Sequence, residues 1–507
     1  MTAFRFVDRL VDRTTMYRLV FWYLAALIAV ALLFGAVRLI AIDPVALALS
    51  TVLVLASGHL ANQIFARVFG AIRNVESVYI TGMIIVLIMQ PAAATDLAAI
   101  GAVLAASVWA MASKFIVSLR RRHVFNPAAL GAALPALLLD QPATWWVSGQ
   151  IWLMPIVVVG GLLIIRKLRR VDLVLAFAIT NLAVTVLTGN AGDALASIRF
   201  ALLDSPFFFF AFVMLTEPLT APQDKVWRIL YGALVGALAA PNVAIAGYYF
   251  TPEVALLAGN LLTLLVSPQG RLVLTLQRIE KAASGAYDFV FRPDRDFAFA
   301  AGQYLEWTMP LERSDSRGNR RYFTIASSPT EDEVRLGVKF APNGSAFKCQ
   351  LAELQPGEKI VASQLAGSFT LPHNRKRKLC FVAGGIGITP FRSMLKQLID
   401  KHEARDVVVL YGCGRVDEVA YADVLRGAQE ELGITTHLAV LDPLNAGADV
   451  HLGMIDEAMV REAVPDFVER TFYVSGPMPM VTALRRQLRE LGLPFWRIKT
   501  DFFPGLA

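Results

Sequence analysis

Ten strongly apolar blocks follow one another between Tyr17 and Val266 and carry few charges. They run Tyr17–Val37, Pro44–Phe65, Val78–Met89, Leu97–Phe115 and Pro127–Leu139, then Ile151–Ile165, Val171–Leu187, Phe200–Leu215, Trp227–Phe250 and Pro252–Val266. Several reach the roughly 18–20 residues that a helix needs to cross a bilayer. Backbone groups facing lipid must hydrogen-bond within their own segment, which makes helices of such blocks. A water-soluble helical domain would not need so many apolar segments in series. Residues 1–270 are therefore expected to form a polytopic α-helical membrane domain of about ten helices.

Basic residues give the expected orientation. Arg5, Arg9, Arg13, Arg18, Arg67, Arg73, Lys114, Arg120, Arg122, Arg166, Lys167, Arg169, Arg170, Lys225 and Arg228 fall at alternate ends of the blocks. The opposite ends hold little beyond Arg38 and Arg199. Short cytoplasmic loops carry this excess of Lys and Arg. An even number of crossings then delivers the chain at Arg271 to the cytoplasmic side of the inner membrane. The net charge of +7 reflects that asymmetry and does not indicate a nucleic-acid partner. No small-residue cleavage site follows the first block, so the amino terminus does not read as a cleaved signal.

The blocks divide into five plus five, and the fifth of each set is short and opens at a proline (Pro127, Pro252). Odd-numbered halves have opposite topology, and matched broken helices mark a site near the midplane. Inverted five-helix repeats are expected on this reasoning. Asn126, in Phe125-Asn-Pro-Ala-Ala-Leu130, and Glu217, in Met214-Leu-Thr-Glu-Pro-Leu-Thr-Ala-Pro222, are candidates for a membrane redox site. Helix capping and interfacial solvation explain the same two residues equally well.

The second half changes character. Cys380-Phe-Val-Ala-Gly-Gly-Ile-Gly-Ile-Thr-Pro-Phe-Arg-Ser-Met394 reads as a buried strand, a glycine turn and a helix. Gly384, Gly385 and Gly387 would let phosphates approach the main chain, where helix-start amides favour an anion. Thr389 suits an N-cap and Pro390 the first helical turn.

Upstream lies Arg321-Tyr-Phe-Thr-Ile-Ala-Ser327, downstream Ser475-Gly-Pro-Met-Pro-Met480, and the chain closes on Asp501-Phe-Phe-Pro-Gly-Leu-Ala507. This ordered set resembles the ferredoxin–NADP reductase superfamily from about Arg271 onward. The resemblance implies an antiparallel β-barrel that binds FAD (271–372) and an α/β parallel-sheet domain that binds NAD(P) (373–507). It implies that Arg321 pairs with the flavin pyrophosphate, that Phe323 stacks on the isoalloxazine, and that Thr324 bonds flavin N5 and is catalytic. Ser327 completes that motif. Gly344 and Ser345 would lie at a helix start that holds the same pyrophosphate. Ser475 would lie against the nicotinamide as the second catalytic residue, with Gly476, Pro477 and Met480 around it. Arg415, at the end of Tyr411-Gly-Cys-Gly-Arg415, would read an NADP 2′-phosphate or stand as a surface arginine, so NADH and NADPH both remain open. Leu506 stands where a lid tyrosine is usual.

Phe125-Asn-Pro-Ala and Leu215-Thr-Glu-Pro-Leu-Thr220 make the first half similar to the D subunit of Rnf complexes and the B subunit of sodium-pumping NADH–quinone oxidoreductases. Those subunits carry a threonine with covalent FMN in a Ser-Gly-Ala-Thr segment. No such segment lies between Leu130 and Leu215. A covalent flavin is not expected, and a non-covalent FMN stays open.

The three cysteines, Cys349, Cys380 and Cys413, are too few and too widely spaced for an iron–sulfur cluster, and no metal site is expected. His59 is the histidine inside a block, with His123 at a boundary, whereas a bis-histidine haem needs pairs. The expected function is a membrane-bound oxidoreductase. It takes electrons from NAD(P)H through FAD to a quinone, a second flavin or an extracytoplasmic carrier, with partner redox subunits as candidates. A transporter or flavin permease with a regulatory reductase domain, and a b-haem ferric-reductase-like enzyme, are the alternatives.

Overall fold

The computed structural model describes residues 14–70, 75–120, 122–189, 193–245, 247–267, 270–311, 315, 318–340, 344–443 and 450–501. The chain divides into two compact units, Met1–Gly270 and Arg271–Ala507.

The first unit is helical. Its main helices are α1 (Met16–Ala36), α2 (Pro44–Val68), α3 (Val75–Ile88), α4 (Leu97–Ile116), α5 (Pro127–Leu139), α6 (Met154–Leu168), α7 (Val171–Thr188), α8 (Lys225–Leu238) and α9 (Pro252–Val266). Between α7 and α8 a helix pair, Ala194–Asp204 and Phe207–Met214, is bent by 63°. Each member of that pair finishes as a π-helix.

About ten crossings in inverted five-helix halves were expected, and the structure corrects this. Among the described residues four helices are long and apolar enough to cross a membrane: α1, α2, α4 and α7, with a fifth if the bent pair is one span. Three of the four belong to the first five blocks and one to the second, so the halves are not copies of each other. Helices α3, α5 and α9 hold 14, 13 and 15 residues. At a rise of 1.5 Å per residue that is about 20 Å, against a hydrocarbon core of about 30 Å. Apolar content overstates helix length where breakers intervene. The block Trp227–Phe250 leaves its helix at Leu238, ahead of Pro241, and ends in a small hairpin pairing Ala244–Ile245 with Tyr248–Tyr249.

Large aliphatic side chains point out of this unit. Leu137, Leu187 and Leu265 are 81, 83 and 78% exposed, an outer surface suited to lipid rather than water. The interior is aromatic, with Phe177 5.5 Å from both Phe207 and Phe210.

In the second unit β1 (Leu272–Ala283), β2 (Ala286–Pro293), β3 (Tyr304–Thr308), β4 (Arg320–Thr324), β5 (Val334–Lys339) and β6 (Lys359–Ala366) form an antiparallel sheet ordered β4-β3-β6-β1-β2-β5. Alternate residues Leu272, Leu274 and Leu276 join Phe289, Phe291 and Trp307 in its core. Strands β4 and β5 remain at the two edges. The sheet is thus a curled half-barrel, which corrects the antiparallel β-barrel expected from the sequence. Helix α10 (Ala346–Glu353) packs beside it through Phe347 and Leu351.

A second sheet is wholly parallel: β7 (Leu379–Gly384), β8 (Val407–Cys413), β9 (Thr435–Val440), β10 (His451–Leu452), β11 (Thr471–Ser475) and β12 (Ile498–Asp501), in the order β10-β9-β8-β7-β11-β12. All six residues of β7 are buried, as a strand covered on both faces requires. Helix α11 (Thr389–Asp400) follows β7, α12 (Ala422–Leu432) precedes β9, and α13 (Met478–Glu490) follows β11. The strand order reverses between β7 and β11, and ligands of open parallel sheets bind at the carboxyl ends of strands at such a point.

The two sheets of this unit are tied together by polar contacts. Ser393 Oγ of α11 donates to the Ser327 carbonyl at 2.6 Å, and Arg392 pairs with Glu331 and donates to the Ala326 carbonyl at 3.1 Å. Tyr421 Oη donates to Asp288 Oδ1 at 2.5 Å. Burial pushes the Asp288 carboxyl above its usual range, and Tyr421 and the nearby Arg392 and Arg335 oppose that rise.

Candidate functional site

The reversal of strand order at β7 and β11 places the turn of Gly384, Gly385 and Gly387 beside that of Ser475 and Gly476. A Cβ on Gly387 would lie 2.6 Å from the Gly476 Cα, and one on Gly384 would lie 2.2 Å from Met480 Sδ, with Pro477 Cδ 3.1 Å away. Gly387 is therefore required where the two loops touch, because it meets main chain, whereas the flexible Met480 side chain could yield to a Cβ at Gly384. Gly385 differs: its φ is +53°, and nothing lies within 4 Å of the position its Cβ would take. It offers an open stretch of main chain of the kind a nucleotide phosphate approaches.

Thr389 does not cap the helix as expected. Residues Gly385–Ile388 form a 3₁₀ turn and Thr389 already has helical angles, with Ile388 at the cap position and no side-chain cap bond. The turn continues directly into α11, which leaves Thr389 inside the first turn beside Pro390, both buried.

Ser475 ends β11 and pairs in register with Asp501, the last residue of β12. Asp501 Oδ2 in turn accepts a hydrogen bond from Thr324 Oγ1 at 3.4 Å. All three are at most 9% exposed. The two residues expected to act on hydride transfer thus come from different sheets, Thr324 bonded to the Asp501 carboxylate and Ser475 standing beside Asp501 in the strand register. Asp501 belongs to the terminal segment and to no cofactor motif in the sequence. Its signal is a lone carboxylate at the end of the last strand of a parallel sheet.

The residues expected around a pyrophosphate also cluster. Arg321 is 4% exposed; its Nη1 donates to the carbonyls of Gly318 and Arg320 at 3.1 and 2.7 Å. Its guanidinium stands 5.5 Å from the ring centre of Phe347, which is itself 5.8 Å from Phe323. Ser345 caps α10 and accepts from the Lys348 N–H at 3.4 Å, with Gly344 just before it. The Asp315 carboxylate accepts from the Ala346 N–H at 2.9 Å and lies 4.0 Å from Arg321 Nη2. An anionic group already bridges the helix start and the arginine, which fits these residues to a phosphate-bearing cofactor.

Ser327 is fully buried, and its Oγ accepts from the Arg335 N–H at 3.1 Å. Arg415 is about half exposed and makes two hydrogen bonds to Asp417, at 2.9 and 2.8 Å. Leu506 lies outside the described residues. Burial pushes the Cys413 thiol up to about 11 and the Cys380 thiol higher, so neither supplies a thiolate near neutral pH.

In the first unit Asn126 and Glu217 join one polar network. Asn126 caps α5 by accepting from the Ala129 N–H at 3.0 Å, and its own N–H donates to Asn260 Oδ1 at 2.8 Å. Asn260 Nδ2 donates to the Thr220 carbonyl and to Tyr231 Oη, both at 3.2 Å. Thr220 Oγ1 donates to Glu217 Oε2 at 2.9 Å, and His123 Nε2 stands 3.3 Å from Glu217 Oε1. Asn260, fully buried, was not read from the sequence; its signal is a lone amide inside the apolar block Pro252–Val266.

Comparison with known proteins fits this division. Residues 143–268 match the NQR2, RnfD, RnfE family, and residues 381–486 match the oxidoreductase NAD-binding domain. The chain is a fusion of an RnfD/NqrB-like membrane domain with a ferredoxin reductase-type nicotinamide-binding domain. It is 25% identical over 226 residues to a flavohemoprotein of Oceanobacillus iheyensis, covering 43% of this chain and 55% of that one. It is 29% identical over 194 residues to the stachydrine N-demethylase reductase subunit Stc4 of Rhizobium meliloti, covering 37% of this chain and 55% of that one. The fusion spans about half the length of the curated relatives it matches. Among solved structures, the cytochrome P450 reductase GcoB of Amycolatopsis aligns with a TM-score of 0.42 and 23% identity, over 46% of this chain and 69% of that one.

Proposed function

We propose that this fusion is a membrane-bound NAD(P)H-dependent flavin oxidoreductase that delivers electrons to an acceptor in or across the membrane. The observation that carries the reading is the meeting of Thr324, Asp501 and Ser475, at the edge of one sheet and the switch point of the other. When bound, FAD supplies the conversion of a two-electron hydride donor into single-electron transfers. Arg321 and the start of α10 neutralise its pyrophosphate, and Phe323 and Phe347 offer apolar ring faces beside it. Gly385 leaves main chain open to the nicotinamide nucleotide, while Thr324 and Ser475 present hydroxyls where the reacting rings would meet. The buried Asp501 carboxylate accepts the Thr324 hydroxyl proton in a hydrogen bond and so fixes its direction.

The site assignments rest on these positions together with the motif spacing. For the membrane half, the network linking Asn126, Asn260, Thr220 and Glu217 supports a seat for a second redox group, a quinone or a non-covalent FMN. Asparagine amides and a carboxylate provide the hydrogen bonds such a carbonyl-rich ring needs. We place the reductase unit in the cytoplasm, where NAD(P)H is available. Cofactor extraction from the purified full chain, with absorption spectra and mass, tests the reading. Stoichiometric FAD that bleaches on adding NADH or NADPH is the expected result, and protein free of flavin would refute it.

A further inference from the structure

The end of the second unit carries a run of exposed aromatic and basic residues, on α13 and the turn that follows it, that the proposed redox chemistry does not use. Helix α13 buries Val481, Leu484 and Leu488 and turns Arg485, Arg486 and Arg489 outward. Leu493 then anchors the chain, and a 3₁₀ turn presents Phe495 and Trp496, 64 and 67% exposed. Their rings meet edge to face at 5.1 Å. Arg497 donates to the carbonyl of Val468, which is 57% exposed and extends the apolar area. From Arg485 to Lys499 the chain holds four arginines and one lysine against a single carboxylate, Glu490. Glu469, beside Val468, is held by Lys378 at 2.6 Å.

We propose that this run of residues docks onto an anionic lipid surface. Two large rings exposed by about two-thirds protrude from the unit, and leaving them in water forfeits the gain of burying that apolar area. Tryptophan is at home at the headgroup level of a bilayer, where its ring is buried and its N–H stays hydrated. Arginines flanking such rings match lipid phosphates and the negative potential of an anionic leaflet. The same chain carries membrane-crossing helices, so the bilayer is present at high effective concentration and weak docking suffices. The patch is a short amphipathic element of the kind that lies in the interface rather than spanning it.

The test uses the full chain in nanodiscs. Val468→Cys, in a Cys349→Ser background, carries an environment-sensitive fluorophore, and Cys380 and Cys413 stay buried. With nitroxide-bearing lipids, quenching should be severalfold stronger in discs containing phosphatidylserine than in discs of phosphatidylcholine alone. It should fall to the phosphatidylcholine level in about 1 M salt, where the Debye length is near 3 Å. Charge reversal in Arg485→Glu with Arg489→Glu, and loss of the rings in Phe495→Ser with Trp496→Ser, should each remove the difference while NAD(P)H-to-dye turnover is unchanged. Equal quenching in both lipids, no quenching in either, or shielding that arises only with an added soluble acidic protein would overturn the proposal.

Discussion

Thr324 and Asp501 lie 177 residues apart in the chain, and their side chains meet at 3.4 Å. One ends an edge strand of the curled antiparallel sheet, the other ends the last strand of the parallel sheet. The bond therefore forms only when the two sheets of the second unit are docked, whereas Ser475 is set beside Asp501 by strand register within the parallel sheet alone. Asp501→Asn should slow flavin reduction by NAD(P)H about tenfold to a hundredfold, the range for losing an oriented proton-handling group. FAD occupancy should stay full. Stopped-flow bleaching of the flavin band measures this, and an unchanged rate would remove Asp501 from the site.

Arg321→Ala should weaken FAD binding by about 2–3 kcal/mol, as expected for losing a charge-assisted contact to phosphate. Asp315→Asn should act in the opposite direction. Its carboxylate holds the Ala346 N–H and faces Arg321, so removing the charge relieves competition with the pyrophosphate. Flavin titration of the apo-protein separates the two variants; a shift of the same sign in both would count against the assignment.

Arg415 is held by Asp417 and is about half exposed, so a 2′-phosphate would have to compete with that carboxylate. If it reads NADP, Arg415→Ala should raise the KM for NADPH about tenfold, an Arg–phosphate contact being worth roughly 1.5–3 kcal/mol at most, and leave NADH unaffected. Equal effects on both cofactors would make it a surface ion pair.

Asn260→Leu removes the amide that joins Asn126 to Thr220 and Tyr231. Reduction of soluble dyes by NAD(P)H should be retained, and transfer to the membrane acceptor should fall at least tenfold. Asn126→Ala and Glu217→Ala should give the same split. Normal quinone reduction in all three would place the acceptor elsewhere.

Asp466 offers a pH test. The hydrogen bond from Arg470, reinforced by Lys378, holds its carboxyl below the ordinary aspartate value. A depressed folded-state value means stability that is present above about pH 4 and is lost as pH falls through the folded value. Asp466→Asn should cost about 0.5–1 kcal/mol at neutral pH, the modest worth of a partly exposed pair. The gap between the variant and the parent should close on acidification below about pH 4. Calorimetry across that range checks the sign.

The sequence alone determined that this chain joins a helical membrane half to a two-sheet reductase half, because hydropathy and glycine-bearing strand–turn–helix motifs are local properties. Composition could not determine how many blocks become full crossings. That depended on where Pro241, Asn126 and Asp140 start or stop helices, and five of the blocks form helices of 13–15 residues, too short for a bilayer. Nor did the arginine and glycine motifs reveal Asp501 or Asn260, each a single polar residue without a motif of its own. Strand register carries Asp501 to Ser475, docking of the two sheets carries it to Thr324, and the packing of α9 against α5 and α8 carries Asn260 to Asn126 and Tyr231. Those meetings are long-range, so only the folded chain decides them.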